Sequence, residues 1–125
     1  MGTVLVVDDE ARNRSLVKAV LEKTCTVIEA ASAADAYDVL RTTPVDLVLL
    51  DVMMPNESGL DAARRIKADT RDQGFLPVVM LTALSDQTDR NVALQAGADD
   101  FISKPFDKTE LRLRVDSFLR LRAQE

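Results

Sequence analysis

A doubly wound α/β fold, five parallel strands with helices packed on both faces, is what this 125-residue chain predicts from three observations. First, the runs Val4-Leu5-Val6-Val7, Leu47-Val48-Leu49-Leu50 and Val78-Val79-Met80-Leu81 are continuously apolar rather than alternating. A strand reads that way when both its faces are buried, as in a parallel sheet sandwiched between helices. Second, the stretches between the runs carry apolar residues at helical spacing. Third, strand and helix alternate five times, and parallel neighbours joined through helices require right-handed crossovers.

Taken in order, strands are expected at residues 4–7, 26–30, 46–50, 77–81 and 99–103. Leu16, Val17, Val20 and Leu21 form the stripe of the first helix, and Ala33, Ala36, Tyr37 and Leu40 that of the second. Leu60, Ala63 and Ile66 mark the third, and Val92, Ala93 and Ala96 a weak fourth. Leu111, Val115, Phe118 and Leu119 stand at i, i+4, i+7 and i+8, a strong fifth. Thr43-Pro44 ends the second helix, Gln73-Gly74 precedes the fourth strand, and Gly97 suits the residue just past the fourth helix. One domain over residues 1–122, with a C-terminal tail at 123–125, fits the length.

Composition narrows the chemistry. There are 16 Lys and Arg against 21 Asp and Glu, a formal charge of −5, and the acidic balance argues against nucleic acid as a direct partner. Histidine is absent, which removes the Ser–His–Asp triad, the imidazole base and His-ligated zinc. The single cysteine, Cys25, permits no internal disulfide and no thiolate cage, and is expected as a small core residue. The apolar runs are too short to cross a bilayer, and the first strand follows Met1-Gly2-Thr3 with no basic segment or cleavage signal. A cytoplasmic domain is expected. What remains for chemistry is carboxylate, hydroxyl, lysine and backbone.

Those groups are not scattered. Asp8-Asp9 follows the first strand, Asp51 the third, Thr82 the fourth and Lys104-Pro105 the fifth. In an open parallel sheet, ligands bind outside the carboxyl ends of the strands, where strand order reverses. Three carboxylates therefore converge on one crevice with a hydroxyl and a lysine. Two unit charges 4 Å apart repel by roughly 4 kcal/mol at an effective dielectric of about 20, so a hard divalent cation is expected among them. Oxygen ligands without nitrogen or sulfur favour Mg²⁺, with Mn²⁺ as a substitute. A carboxylate beside a bound phosphoryl donor can act as nucleophile and form an acyl phosphate. Asp51, alone at the end of a central strand, is the candidate nucleophile. Asp8 and Asp9 suit a metal-holding pair.

Four segments carry a resemblance: Val-Val-Asp-Asp-Glu at 6–10, Leu-Leu-Asp-Val-Met-Met-Pro at 49–55, Leu-Thr-Ala at 81–83, and Ala-Gly-Ala-Asp-Asp-Phe-Ile-Ser-Lys-Pro-Phe at 96–106. In order and spacing they closely resemble the receiver domain of two-component response regulators, across essentially the whole chain. The resemblance implies a flavodoxin-like sheet of strand order 2-1-3-4-5. It implies Asp51 as phosphoacceptor, and Asp8, Asp9, Asp51 and the backbone carbonyl of Met53 as the Mg²⁺ ligands. Thr82, Lys104 and the backbone N–H of Ala83 would contact the phosphoryl group, and Phe101 would be the aromatic switch that turns inward as Thr82 moves. The Lys104–Pro105 bond is expected to be cis.

The implied partners are a sensor histidine kinase or a histidine phosphotransfer protein, and an output domain in a longer protein. A homodimer through the face of the fourth helix, fifth strand and fifth helix is a further expectation. Leu113 and Leu121 lie off the buried stripe there, and Arg112, Arg114 and Arg120 could meet Asp99 and Asp100 of a second copy. Glu57 departs from the family, which usually has an apolar residue at that place; an added carboxylate there bears on metal affinity or docking. Met53 and Leu84, two past the acceptor and two past the threonine, offer no polar group to orient an attacking water, so autodephosphorylation is expected to be slow.

Other functions fit less well. An aspartyl-phosphate phosphohydrolase usually needs a second Asp two past the nucleophile, and Met53 stands there. A flavodoxin-like cofactor binder needs a Ser/Thr/Gly-rich phosphate loop after the first strand, where Asp8-Asp9-Glu10 would repel the phosphate. A phosphorylation-independent adaptor would have no use for the whole set of site residues. Read singly, Asp8 or Asp9 is a helix cap, Thr82 a loop hydroxyl, and Met53, Met54 and Phe101 packing residues.

Overall fold

The computed structural model describes residues 2–54, 56–70, 74–82, 91 and 95–123, with the side chains of Thr82 and Ala123 outside that description. Five strands, β1 (Thr3–Val7), β2 (Thr26–Ala30), β3 (Leu47–Asp51), β4 (Val78–Thr82) and β5 (Asp100–Ser103), form one sheet in the order β2-β1-β3-β4-β5. All four pairings are parallel. The described helices are α1 (Ala11–Leu21), α2 (Ala33–Thr42), α3 (Gly59–Thr70) and a C-terminal helix (Lys108–Ala123). Val92 and Ala93 of the expected fourth helix lie outside the described residues. The fold class and strand order are those expected.

Each strand face reads as its own core, because successive side chains point to opposite sides. Val4, Val6, Leu47, Leu49, Val79, Leu81 and Ile102 are buried under Val17 and Leu21 of α1 and Leu111 and Val115 of the C-terminal helix. Leu5, Val7, Val48, Leu50, Val78 and Met80 are buried on the other face, under Ala36 and Tyr37 of α2 and Ala62, Ala63 and Ile66 of α3. The continuous apolar runs are explained by this double coverage.

β3 and β4 each begin and end one residue later than the expected 46–50 and 77–81, while β1 begins one residue earlier and β5 one residue later than expected. Asp46 caps rather than joins β3: its backbone N–H donates to the Thr3 carbonyl, and its Oδ2 accepts from the Thr3 N–H at 2.8 Å. At the other end the ladder continues through Asp51, opposite Leu81. On α1 the stripe is narrower than expected: Val17 and Leu21 are buried, but Leu16 is 49% exposed. It lies on the flank, beside a groove that it shares with Val20, Lys23, Lys108 and Arg112.

Helix starts follow their polar residues. The Ser32 hydroxyl accepts from the Asp35 N–H at the start of α2, and the Ser58 hydroxyl from the Asp61 N–H at the start of α3. On the C-terminal helix, Leu113 and Leu121 are exposed as expected. The acidic residues offered to a second copy already have partners within the chain: Asp99 pairs with Lys67 at 2.8 Å, and Asp100 with Arg114.

Candidate functional site

The site is the upper edge of one strand face. β1 and β3 pair Val7 with Leu50, so the next residues, Asp8 and Asp51, stand side by side at the carboxyl edge. Backbone bonds past the strands hold both: Asp8 N–H donates to Ala30 O at 3.1 Å, and Val52 N–H to Leu81 O at 3.3 Å. By alternation Asp8 continues the face of Val4 and Val6, Asp51 that of Leu47 and Leu49, and Lys104 that of Ile102. Three apolar columns thus end in two carboxylates and a lysine.

Asp8 and Asp51 are buried, with 1% and 6% of their surface exposed, while Asp9 faces solvent. Carboxylate oxygens of Asp8, Asp9 and Asp51 all lie within 4.8 Å of one another. Lys104 Nζ is 3.1 Å from Asp8 Oδ2 and 3.3 Å from Asp51 Oδ1. The other oxygen of Asp8 accepts from the Glu10 N–H at 3.0 Å, so its role as a turn acceptor and its place in the cluster coexist. Asp51 Oδ1 also accepts from the Met53 N–H at 3.3 Å. Both of these contacts of Asp51, with Lys104 and with Met53, fall on Oδ1. Burial pushes the Asp51 carboxyl above the usual carboxylate range; Lys104 pulls it back, and the neighbouring Asp8 charge adds to the rise.

One lysine cannot neutralise three carboxylates at this spacing. The donor set, oxygen only and partly buried, fits a hard divalent cation such as Mg²⁺. Met53 follows directly after Val52, its side chain 68% exposed. Thr82 is the last residue of β4, paired with Ser103, and its side chain lies outside the described residues, as do Ala83 and Leu84. Phe101 is half-buried against the α2 and α3 side of the core. The Lys104–Pro105 bond is cis, as expected.

Three residues near the site carry contacts that the sequence pattern does not signal. Arg14 of α1 donates to the Asp8 carbonyl at 2.7 Å and pairs with Glu29 at 3.1 Å, bracing the end of β1. Tyr37 donates its hydroxyl to Glu57 Oε2 at 2.6 Å. In the sequence Arg14 reads as solvated helix surface and Tyr37 as plain core. Glu57 stands out only as a departure from the family, without its partner.

Comparison with known proteins decides the family: the response regulator receiver domain matches residues 4–116. The chain belongs to that family. The receiver is 40% identical over 119 residues to the phosphate regulon transcriptional regulatory protein PhoB of Pseudomonas aeruginosa, covering 94% of this chain and 52% of that one. It is 40% identical over 121 residues to the transcriptional regulatory protein CpxR of Escherichia coli, covering 96% and 50%. The chain thus spans about half the length of the curated relatives it matches. Among solved structures it superposes on the BeF3-activated receiver domain of DrrB with a TM-score of 0.86 at 34% identity, covering 96% and 98% of the two chains. It is a receiver domain of the two-component response regulator type, with the flavodoxin-like sheet expected of one.

Proposed function

We propose that this receiver accepts a phosphoryl group on Asp51 from the phosphohistidine of a sensor histidine kinase or histidine phosphotransfer protein. An Asp51 oxygen attacks phosphorus, the P–O bond forms as the donor's P–N bond breaks, and the imidazole nitrogen leaves with the bonding pair. Mg²⁺, held by Asp8, Asp9, Asp51 and the Met53 carbonyl, would supply charge neutralisation for the phosphoryl oxygens. Lys104, already 3.3 Å from Asp51, pairs with the phosphoryl group once it arrives, and its contact with Asp8 keeps it aimed at the pocket. Thr82 and the Ala83 N–H complete the contacts, and Phe101 follows Thr82 inward.

A single observation carries the reading: the buried Asp51 carboxylate sits in a cluster of three carboxylates, 3.3 Å from the Lys104 ammonium. No described helix is long and apolar enough to cross a membrane, and the phosphodonor would be met in the cytoplasm. An output domain in a longer protein is the natural reader of the switch, given relatives about twice this length. The exposed Leu113, on the wall of a cavity of about 620 Å³ that Arg114 and Phe118 also line, is where a second copy would dock.

Incubation with Mg²⁺ and acetyl phosphate, read by intact mass, tests the assignment. One added phosphoryl group is expected, lost on hydroxylamine treatment and absent from Asp51→Asn. No gain, or the same gain in Asp51→Asn, would overturn it.

A further inference from the structure

The β3–α3 loop carries the Met53 carbonyl, and among its described residues few contacts hold it. Its base is closed by the Gly59 N–H donating to Val52 O at 2.9 Å, and Met54 packs partly into the core. The Met53 side chain is exposed, and Asn56 takes a left-handed φ of 70°, so the loop turns sharply in the middle. Among the described residues, one side-chain hydrogen bond ties this loop to an element other than the two it joins: Tyr37 Oη to Glu57 Oε2, at 2.6 Å. That length is typical of a hydroxyl donating to a carboxylate, the stronger kind of hydrogen bond. The donor is rigidly placed. Tyr37 is 8% exposed on the buried stripe of α2, and the Arg65 guanidinium of α3 lies over its ring, 4.0 Å from the centroid. Glu57 itself lies outside the group of carboxylates that could share an ion.

We propose that Tyr37 and Glu57 form a latch between α2 and the β3–α3 loop, holding the Met53 carbonyl where the metal needs it. They are positioning residues for phosphoryl acceptance rather than ligands. The inference rests on the reading of Asp8, Asp9, Asp51 and Met53 as the Mg²⁺ site. A carbonyl ligand on a loose loop must be ordered at the moment of binding, and that ordering cost weakens affinity; a loop already pinned is spared it. Burial and the Glu57 carboxylate both push the Tyr37 phenol above its ordinary range, against a smaller opposite pull from Arg65; the net rise favours the protonated, donating form. The carboxylate that departs from the family pattern thus has a partner on another helix, and the pair acts on the metal through the backbone.

The test is Mg²⁺ titration by calorimetry, which needs no phosphoryl transfer. Tyr37→Phe keeps the ring and its stacking on Arg65 and removes only the donor. The Mg²⁺ dissociation constant is expected to rise about three- to tenfold in Tyr37→Phe and in Glu57→Ala. The double variant should be no worse than either single one, and Glu57→Gln, which keeps an acceptor oxygen, should retain most of the affinity. In acetyl phosphate labelling, the Mg²⁺ concentration for half-maximal rate should rise while the rate at saturating Mg²⁺ holds, a split that mere loss of stability would not produce. An unchanged dissociation constant in Tyr37→Phe overturns the latch. So does a loss in Glu57→Gln equal to that in Glu57→Ala, since charge alone would then be at work. A parent protein that binds Mg²⁺ with this pattern but takes no phosphoryl group leaves the latch standing and sinks the phosphoacceptor reading.

Discussion

Asp51 is held at a cost to the fold. Its buried carboxyl has a raised pKa, chiefly from burial, so the folded domain binds that proton more tightly than the unfolded chain. For a carboxylate with a raised folded pKa, the ionised form is what folding disfavours. The penalty is absent below the unfolded carboxylate value of about 3.9, grows as pH rises through the raised folded value, and is complete above it. Asp51→Asn should therefore stabilise the metal-free domain at pH 7, because it removes the burial cost of the charge and its repulsion with Asp8 while Lys104 keeps its contact with Asp8. The gain should fade as pH falls into the carboxylate range. Urea denaturation in EDTA at several pH values measures it; a variant less stable than the parent at pH 7 would contradict it. Asp8, Asp51 and Lys104 could be found in the sequence because each ends an apolar strand with a group that has no business in a core. Tyr37 could not, because a ring on a helical stripe packs equally well whether or not its hydroxyl meets a carboxylate 20 residues away.

Among the elements, the junction of β3 and α3 sets the site's geometry, and Gly59 is its pivot. A Cβ built there would stand 2.0 Å from the Asp51 carbonyl oxygen and 2.8 Å from Val52 Cα, both main-chain atoms that cannot step aside. α3 starts this close to the strand end because Gly59 N–H also bonds Val52 O. Gly59→Ala should cost about 3 kcal/mol, the upper range for inserting a methyl into packed surroundings, and should weaken Mg²⁺ binding by displacing Asp51. Chemical denaturation together with the Mg²⁺ titration checks both; a variant of parental stability would mean that the junction gives more freely than its packing suggests. Strand identity was legible because burial on both faces leaves a continuous apolar signature. Strand ends were legible only to within a residue: Asp46 reads as the start of β3 but spends its backbone and side chain on Thr3. Leu16 misled for a related reason, since spacing places it beside the α1 stripe without saying how wide a stripe the sheet can cover.

At the scale of the whole sheet, the described residues carry charge differently at its two edges. At the amino edge, Asp46 accepts from Thr3 and pairs with Arg122 at 3.1 Å, and Arg122 also reaches the Phe75 carbonyl. Charge there is matched, and the C-terminal helix is fastened to the sheet by its last turn. At the carboxyl edge, among the described residues, Lys104 ion-pairs with Asp8 and Asp51, and Arg14 reaches the Asp8 carbonyl but pairs with Glu29, so the carboxylates of the cluster outnumber the cation paired with them. Such an imbalance destabilises the metal-free fold, and a ligand that binds only the folded state returns stability by mass action. Mg²⁺ at about 100 times its dissociation constant should therefore raise unfolding free energy by about 2.7 kcal/mol over the EDTA-treated domain. For a chain of this size, that corresponds to a melting shift of roughly 10 °C. NaCl at equal ionic strength should give only a small part of it, because diffuse screening acts weakly on buried groups. Asp9→Asn is the informative variant: Asp9 is exposed, so its loss should leave the metal-free domain folded while removing most of the Mg²⁺ response. Thermal melts of parent and Asp9→Asn in EDTA, NaCl and MgCl₂ separate the cases. An equal rise in NaCl and MgCl₂, or an undiminished Mg²⁺ response in Asp9→Asn, would show that the carboxyl edge does not gather its charges around an ion.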